Sequence, residues 1–442
     1  MSWLVYRALW LASGMQRALR ERLTVAGWIA LGAAGVAAAV GIDTTRSMSF
    51  QAFTFLAALL ALAFVLAPFF RARVSLRRDL PRYATVGEPV EYRVAVENRG
   101  ARALAGVSLI ETLTDARPAY ASWRAAREPG EAAHNRFDRR MGHFRWRWVE
   151  RRVPKPVRET PLPRLAPGAT EVARLTLVPR RRGRIELAGI TLARTDPLGL
   201  VRALVRVAAP GRITALPKRY RLPRFALPGA RRFQQGGVSL ATSIGDSEEF
   251  VALREYRAGD PLQRVHWASF ARTGTPIVKE YQDEFFERHA LVLDTGTAHG
   301  EDAAFEEAVA IAASFVYAID THECLLDLLF VRGELHRYTA GRGQMRAEHL
   351  LEVLAGVAPS APGDFDALAS AVHAHRHRLT SCIVVLLAWD EPRRRFVETL
   401  GRTGVEVRTL LMCGRDEAPA APHPGVVILN PGEVEPGLAR LS

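Results

Sequence analysis

Two long runs without a charged residue stand out near the N-terminus, at 23–42 and 52–70. At 1.5 Å of rise per helical residue, each is long enough to cross a hydrocarbon core about 30 Å thick. The link between them, 43–51, is too short for a domain, so the pattern predicts a transmembrane helical hairpin over 23–70. A cleaved leader would be shorter and would not be followed at once by a second span. Arg7, Arg17, Arg20 and Arg22 precede the hairpin and Arg71, Arg73, Arg77 and Arg78 follow it, whereas the link holds only Arg46. The positive-inside bias therefore predicts a two-pass protein of the inner (cytoplasmic) membrane with its soluble parts in the cytoplasm. Within the leading segment 1–22, Trp3 and Trp10 lie on one helical face, which predicts a helix at the interface.

From about residue 79 the period falls to two. Val90-Glu91-Tyr92-Arg93-Val94-Ala95-Val96 alternates, and Glu97-Asn98-Arg99-Gly100 ends the run with turn chemistry. Similar runs at 103–112, 171–178, 183–194 and 201–208 predict an all-β, immunoglobulin-like sandwich over 79–217. An irregular basic insertion, about 115–164, interrupts it. There His143-Phe144-Arg145-Trp146-Arg147-Trp148 interleaves arginine with aromatics, a pattern able to stack single-stranded bases. The alternation equally describes a strand with the aromatics inward and the cations outward. Without a wider nucleic-acid fold signal, the strand is the preferred reading.

Beyond residue 286 short apolar runs (290–293, 325–331, 382–388, 405–412) alternate with helical patterns (305–319, 346–357, 365–375, 392–400). That order predicts an α/β doubly wound parallel sheet over 286–442, with its functional loops beyond the carboxyl ends of the strands. Asp294 and Asp390 each close a strand at such a place.

Composition narrows the reading further. Hydrophobic residues at 48% and charged residues at 24% suit packed cores rather than long disorder. The net charge of +14 favours anionic membrane lipids as a partner over nucleic acid, given the apolar N-terminus. Only Lys155, Lys218 and Lys279 are lysines among the 60 basic residues. Cys324, Cys382 and Cys413 form no Cys-x-x-Cys pair, so neither a zinc site nor a disulfide framework is indicated.

The densest chemistry lies in the linking segment, 218–285. It reads Gly245-Asp246-Ser247-Glu248-Glu249-Phe250, Leu253-Arg254-Glu255-Tyr256-Arg257-Ala258-Gly259-Asp260, Arg264-Val265-His266-Trp267-Ala268-Ser269-Phe270-Ala271-Arg272 and Val278-Lys279-Glu280. This resembles the signature of the bacterial domain-of-unknown-function 58 family, E-F-x-x-L-R-x-Y-x-x-G-D, R-x-I-H-W-x-x-x-A-R and V-K-E. Thr195-Asp196-Pro197-Leu198-Gly199-Leu200 matches the family's upstream D-P-[FL]-G-L. Arg254, Tyr256, Asp260, Arg264, His266, Trp267, Arg272, Lys279 and Glu280 can form a paired interdomain network, since buried charges must be paired. They can equally form a docking surface for a protein.

The doubly wound part also resembles the von Willebrand factor A fold, whose metal-ion-dependent adhesion site begins Asp-x-Ser-x-Ser. Asp294 is in place, but Gly296 and Ala298 stand where the serines belong, and Asp364 where a threonine does. Asp390 fits the third loop. Asp294, Asp364 and Asp390, with Thr295 or Thr297, could still hold Mg²⁺, which needs only one or two carboxylates. The alternative is that these aspartates cap loops and helix N-termini.

No catalytic residue is assigned. Asp260, His266 and Ser269 have the letters of a hydrolase triad, but three residues within ten positions seldom reach its geometry. No Gly-x-Ser-x-Gly elbow, phosphate loop or His-Glu-x-x-His occurs. The expected class is a membrane-tethered binding and assembly scaffold rather than an enzyme. The family resemblance implies a MoxR-type AAA+ ATPase as partner and a chaperone-like role at the cell envelope. The competing class is a metal-dependent hydrolase or transferase built on Asp294, Asp364 and Asp390.

Overall fold

The computed structural model describes residues 2–41, 48–113, 117–126, 134–151, 155–156, 159–223, 249–257, 259–260, 262–282, 287–297, 303–319, 324–341, 346–414 and 425–441. They divide between two compact units: the first comprises Met1–Tyr220 together with Leu351–Ala358, and the second most of the chain from Arg221 onward.

Three helices open the first unit: α1 (Ser2–Arg22), α2 (Val25–Val40) and α3 (Met48–Leu66). α2 and α3 carry no charge, and their outward Ile29, Val36, Phe55 and Val65 are 62–68% exposed. A short 3₁₀ turn extends α3 into an apolar helix of 22 residues, Met48–Phe69, long enough to cross a membrane. The other expected span is shorter. α2 has 16 residues, about 24 Å, and Ile42 lies outside the described residues.

The shortening has a local cause, because Leu23 and Thr24 are drawn into the β-rich part of the unit. Leu23 bridges Val201. Thr24 N donates to Leu200 O at 3.1 Å, its hydroxyl donates to Gly199 O at 2.6 Å, and the same hydroxyl caps α2 by accepting from Gly27 N. The receiving turn is Asp196-Pro197-Leu198-Gly199-Leu200. Asp196 accepts from Leu198 N and Val201 N, and Gly199 has φ +76°. A Cβ at Gly27 would lie 2.1 Å from Leu200 O. Gly27→Ala is therefore expected to cost about 1–3 kcal/mol and to loosen the foot of α2, read as new protease cleavage near residues 23–27.

The remaining elements of this unit are β1 (Val74–Asp79), β2 (Tyr83–Thr85), β3 (Val90–Asn98), β4 (Val107–Leu113), α4 (Tyr120–Ala125), α5 (Arg136–Met141), α6 (His143–Arg151), β5 (Lys155–Pro156), β6 (Thr160–Leu162), β7 (Thr170–Val178), β8 (Gly183–Thr195) and β9 (Arg202–Leu216). They build two sheets, β1-β3-β7-β5 and β2-β9-β8-β4-β6. All pairings are antiparallel except β2 with β9. Alternate residues turn inward: Tyr92, Val94, Val96, Leu175 and Leu177 from one sheet meet Leu109, Ile190, Leu192 and Ile213 from the other in a single core. One buried triad ties the sheets. Arg78 Nη2 lies 2.6 Å from both Glu111 Oε1 and Gly189 O, and Tyr92 donates to Glu111 Oε2 at 2.5 Å.

The insertion departs from expectation. Its described part carries three helices, α4 to α6, before the short strands β5 and β6, and 143–148 is the start of α6 rather than a strand. Gly142, at φ +61°, ends α5, and its carbonyl accepts the Trp123 indole N–H at 3.2 Å. Trp146, one helical turn on, is buried against Tyr6 of α1. Arginine–aromatic alternation is compatible with either period, and this tertiary cluster selects the helical one.

The second unit begins with an antiparallel ribbon, β10 (Glu249–Glu255) and β11 (Ile277–Gln282), joined through α7 (Trp267–Thr273). Then come β12 (Glu287–Leu293), α8 (Ala303–Ala318), β13 (Cys324–Arg332), β14 (Glu334–Ala340), α9 (Ala347–Ala355), α10 (Phe365–His375), β15 (Ser381–Leu386), α11 (Glu391–Arg402), β16 (Glu406–Met412), β17 (Val426–Leu429) and α12 (Val434–Leu438). The sheet order is β14-β13-β12-β15-β16-β17, and only β14 runs antiparallel. Ala290, Val292, Val384 and Leu386 pack with Phe365 and Leu368 of α10 and Phe396 and Leu400 of α11. The alternate residues Leu291, Leu293, Ile383 and Val385 are fully buried too. Near-continuous apolar strands of this kind suit a parallel sheet covered on both faces. The chain lays β13 and β14 on one side of β12 and β15 to β17 on the other. The reversal point lies between β12 and β15, where such sheets form their ligand crevice.

Candidate functional site

Two aspartates meet beyond that reversal point. Asp294 follows β12 and is 1% exposed; Asp390 follows β15 and serves as N-cap of α11, its carboxylate accepting from Arg393 N at 3.2 Å. Between them lies Arg393, 2% exposed. Its Nε donates to Asp294 Oδ2 at 2.7 Å and its Nη2 to Asp294 Oδ1 at 3.1 Å, while Nη1 donates to Asp390 Oδ2. Nη2 also approaches Gly296 O at 3.4 Å, and the guanidinium lies 4.7 Å from the Phe365 ring centre. Asp294 is completed by Gly296 N at 2.9 Å and Leu387 N at 3.1 Å. Its carboxylate thus accepts four hydrogen bonds, about as many as its lone pairs allow.

Burial alone would lower the Arg393 pKa. The hydrogen bonds and charge of Asp294, then those of Asp390, outweigh it and hold the guanidinium above its ordinary value. The position is otherwise hostile to a cation, because the first turn of a helix carries the positive end of its dipole. The carboxylates make it tenable.

The other residues proposed for a metal are engaged in different ways. Thr295 donates to Val331 O at 2.6 Å and lies 3.0 Å from the Ser360 hydroxyl. Thr297 N donates to Ser360 O. Asp364 closes the short 3₁₀ turn Pro362–Asp364, accepting from Ala361 N at 3.2 Å. Asp294 and Asp390 are therefore brought together, while Asp364 does the work of a cap. Among the described residues no group of three His, Cys, Asp or Glu side chains is placed to hold a metal. With Arg393 bridging the two carboxylates, this arrangement does not fit a divalent ion.

Sequence reasoning missed Arg393, Ser360 and Phe365, and read Gly296 only as a lost serine. The signal for Arg393 was present. Arg393, Phe396, Val397 and Leu400 follow the helical i, i+3, i+4, i+7 spacing and are all buried, so one arginine of the run Arg393-Arg394-Arg395 falls on the apolar face.

The family-signature segment forms a separate site on the ribbon. Arg254 clasps Asp260 with two bonds of 2.7 Å, and Arg257 N donates to Asp260 at 2.8 Å. His266 Nδ1 lies 2.7 Å from Ser269 Oγ, and Tyr256 N donates to Pro276 O. His266 and Ser269 do meet, but Asp260 is held by Arg254 and Arg257, and Ser269 is buried. Tyr256, Arg272 and Lys279 make no side-chain hydrogen bond or ion pair among the described residues. Gly245-Asp246-Ser247-Glu248 and Ala258 lie outside the described residues, as do the side chains of Arg264 and Glu280. Trp267 is 61% exposed, with Phe270 edge-on at 6.1 Å and Leu262 beside them in sequence also open to solvent.

The hydrogen bond and charge of Arg254, with the Arg257 amide, hold Asp260 down to about 2. A carboxylate depressed in the folded state stabilises it above the unfolded value, near 4, and that contribution is lost as pH falls through 2. Amides of the β10–β11 ribbon are therefore expected to lose exchange protection between about pH 4 and 2. In Asp260→Asn the protection should already be weaker at neutral pH and flat across this window.

Comparison with known proteins bears on the same region. Residues 252–430 match the family described as "Protein of unknown function DUF58". The chain is 26% identical over 134 residues to "Uncharacterized protein YeaD" of Bacillus subtilis (strain 168), covering 30% of this chain and 33% of the relative. It thus spans about a third of that relative's length. A crystal structure of manganese-loaded TRAP protein from Plasmodium vivax aligns over 36% of this chain and 73% of that one, at 11% identity and a TM-score of 0.27. The matched segment 252–430, running from the Arg254–Asp260 clasp through the Arg393 site, supports the DUF58 family for this chain.

Proposed function

We propose that this protein is a membrane-anchored scaffold for protein binding and assembly. In this reading α2 and α3 form a two-pass anchor in the cytoplasmic membrane. The sandwich, immunoglobulin-like, and the doubly wound unit, von Willebrand factor A-like, work in the cytoplasm. α1 lies along anionic lipid with Leu4, Leu11 and Met15, all more than half exposed, turned to the bilayer. The partner is a MoxR-type AAA+ ATPase, the one the family resemblance implies, in a chaperone-like role at the cell envelope.

The observation that carries binding over catalysis is the face of α7. Four polar signature residues are paired with one another, Arg254 with Asp260 and His266 with Ser269, while Trp267 is 61% and Phe270 37% exposed. Exposed tryptophan with an apolar neighbour is the side-chain chemistry of interface anchors. The engagement of Asp294 and Asp390 by Arg393 counts against a metal-dependent hydrolase.

The test is to purify the tagged chain in mild detergent with ATP and identify co-purifying proteins by mass spectrometry. The scaffold reading expects an AAA+ ATPase, with recovery falling about tenfold or more in Trp267→Ala/Phe270→Ala. Recovery of the chain alone, or of the same ATPase in equal yield with the variant, contradicts it.

A further inference from the structure

We propose that Arg393 is this chain's built-in replacement for a divalent ion: its guanidinium permanently bridges Asp294 and Asp390, and the crevice is independent of metal. The inference rests on the geometry of the crevice and stands whether or not the ATPase is the partner.

Three observations converge on it. The guanidinium is buried and bonds both carboxylates at once, the place and the role that a shared cation would have. The Asp294 carboxylate has no acceptor position left, its four bonds coming from Gly296 N, Leu387 N and two guanidinium nitrogens. The third observation concerns Gly296. A Cβ there would lie 3.0 Å from Arg393 Nη2, with Ala361 O and Pro362 Cα each at 3.2 Å. A side chain at 296 is therefore crowded by the guanidinium and by the 361–362 backbone. Glycine at 296 and the arginine at 393 therefore fit together: a side chain on the loop would crowd the guanidinium that reaches across from the helix.

Charge agrees. Two carboxylates, one guanidinium and roughly half a positive charge at the start of α11 leave only about half a negative charge in the crevice. Such a site has little to offer a dication, which would also meet a fixed positive group at contact distance. Phe365 covers the guanidinium, so displacement by an incoming ion would need the side chain to leave an apolar shelter.

Removal of the guanidinium should uncover a cation site. Asp294 and Asp390 would then face the vacated volume with the Gly296 carbonyl nearby, enough for an ion that keeps several waters. The experiment is Mn²⁺ binding to the full chain in detergent, followed by electron paramagnetic resonance. Melting curves with and without Mn²⁺ run in parallel. The wild-type chain is expected to bind no Mn²⁺ that Asp294→Asn removes, and its melting should be indifferent to the ion. Arg393→Ala should melt lower, gain one Mn²⁺ site and recover melting temperature when the ion is added; Asp294→Asn/Arg393→Ala should lose that gain. Gly296→Ser should lower melting in the wild-type background and do so less when combined with Arg393→Ala, where the hydroxyl can also tighten Mn²⁺ binding. Wild-type binding of Mn²⁺ that depends on Asp294 would overturn the proposal, as would a folded Arg393→Ala that binds none. If Arg393→Ala does not fold without the ion, failure of Mn²⁺ to rescue it counts against the proposal, and the wild-type titration decides in either case.

Discussion

Replacing Arg393 by methionine is expected to cost about 3–5 kcal/mol of folding stability. The apolar stem is retained, so the loss is electrostatic rather than a cavity. Asp390 is partly exposed and can return to water, but Asp294 is 1% exposed and would keep only the amides of Gly296 and Leu387. Removing one partner of a buried pair is costly because the other charge stays behind without compensation. Asp294→Ala should cost a similar amount from the opposite side. The double variant should cost clearly less than the two single losses together, since the groups share their bonds. Urea midpoints of the transition that unfolds the second unit supply all three values.

The second large effect belongs to the sandwich. Glu111→Ala should cost about 3–5 kcal/mol, whereas Arg78→Met should cost less. Both side chains are almost fully buried, 4% and 2% exposed for Arg78 and Glu111. The asymmetry comes from protonation. Burial raises the Glu111 pKa, only partly opposed by Tyr92 and Arg78, so without its arginine the glutamate can take a proton and remain bonded to Tyr92. A guanidinium has no such escape. Equal losses in the two variants, measured by denaturant unfolding, would refute this account of the triad.

Arg78 also shows where sequence reasoning meets its limit. It stands among the arginines after the hairpin, and its charge enters the topology argument with theirs. Its side chain is committed to the sandwich interior, and nothing in local sequence separates it from its neighbour Arg77, which the strand period turns to the other face. The alternation of β3, β7 and β8 and the apolar runs of β12, β13 and β15 were legible, because side-chain period and burial are local signals. β14, β17 and the β10–β11 ribbon were not, being edge strands or a two-stranded ribbon that lack a buried apolar run. The insertion failed for a different reason. Its 143–148 run fits either period, and Trp146 becomes helical through Tyr6, more than a hundred positions away.

The crevice was half legible. Asp294 and Asp390 follow from the rule that such sheets bind ligands past their strand ends, and Gly296 was visible as a lost serine. Its meaning depends on Arg393 reaching across from a helix about a hundred residues later, and no motif announces that. A pattern search registers a missing hydroxyl; only the fold shows the guanidinium that lies beside it.

The measurement that tests the central claim most directly is equilibrium unfolding of the intact chain, once with EDTA and once with excess Mg²⁺. With Arg393 as the resident cation, the second unit unfolds at the same denaturant concentration in both. A shift to higher denaturant with Mg²⁺ that vanishes in Asp294→Asn would show a divalent ion bound at the two carboxylates, and would contradict the account.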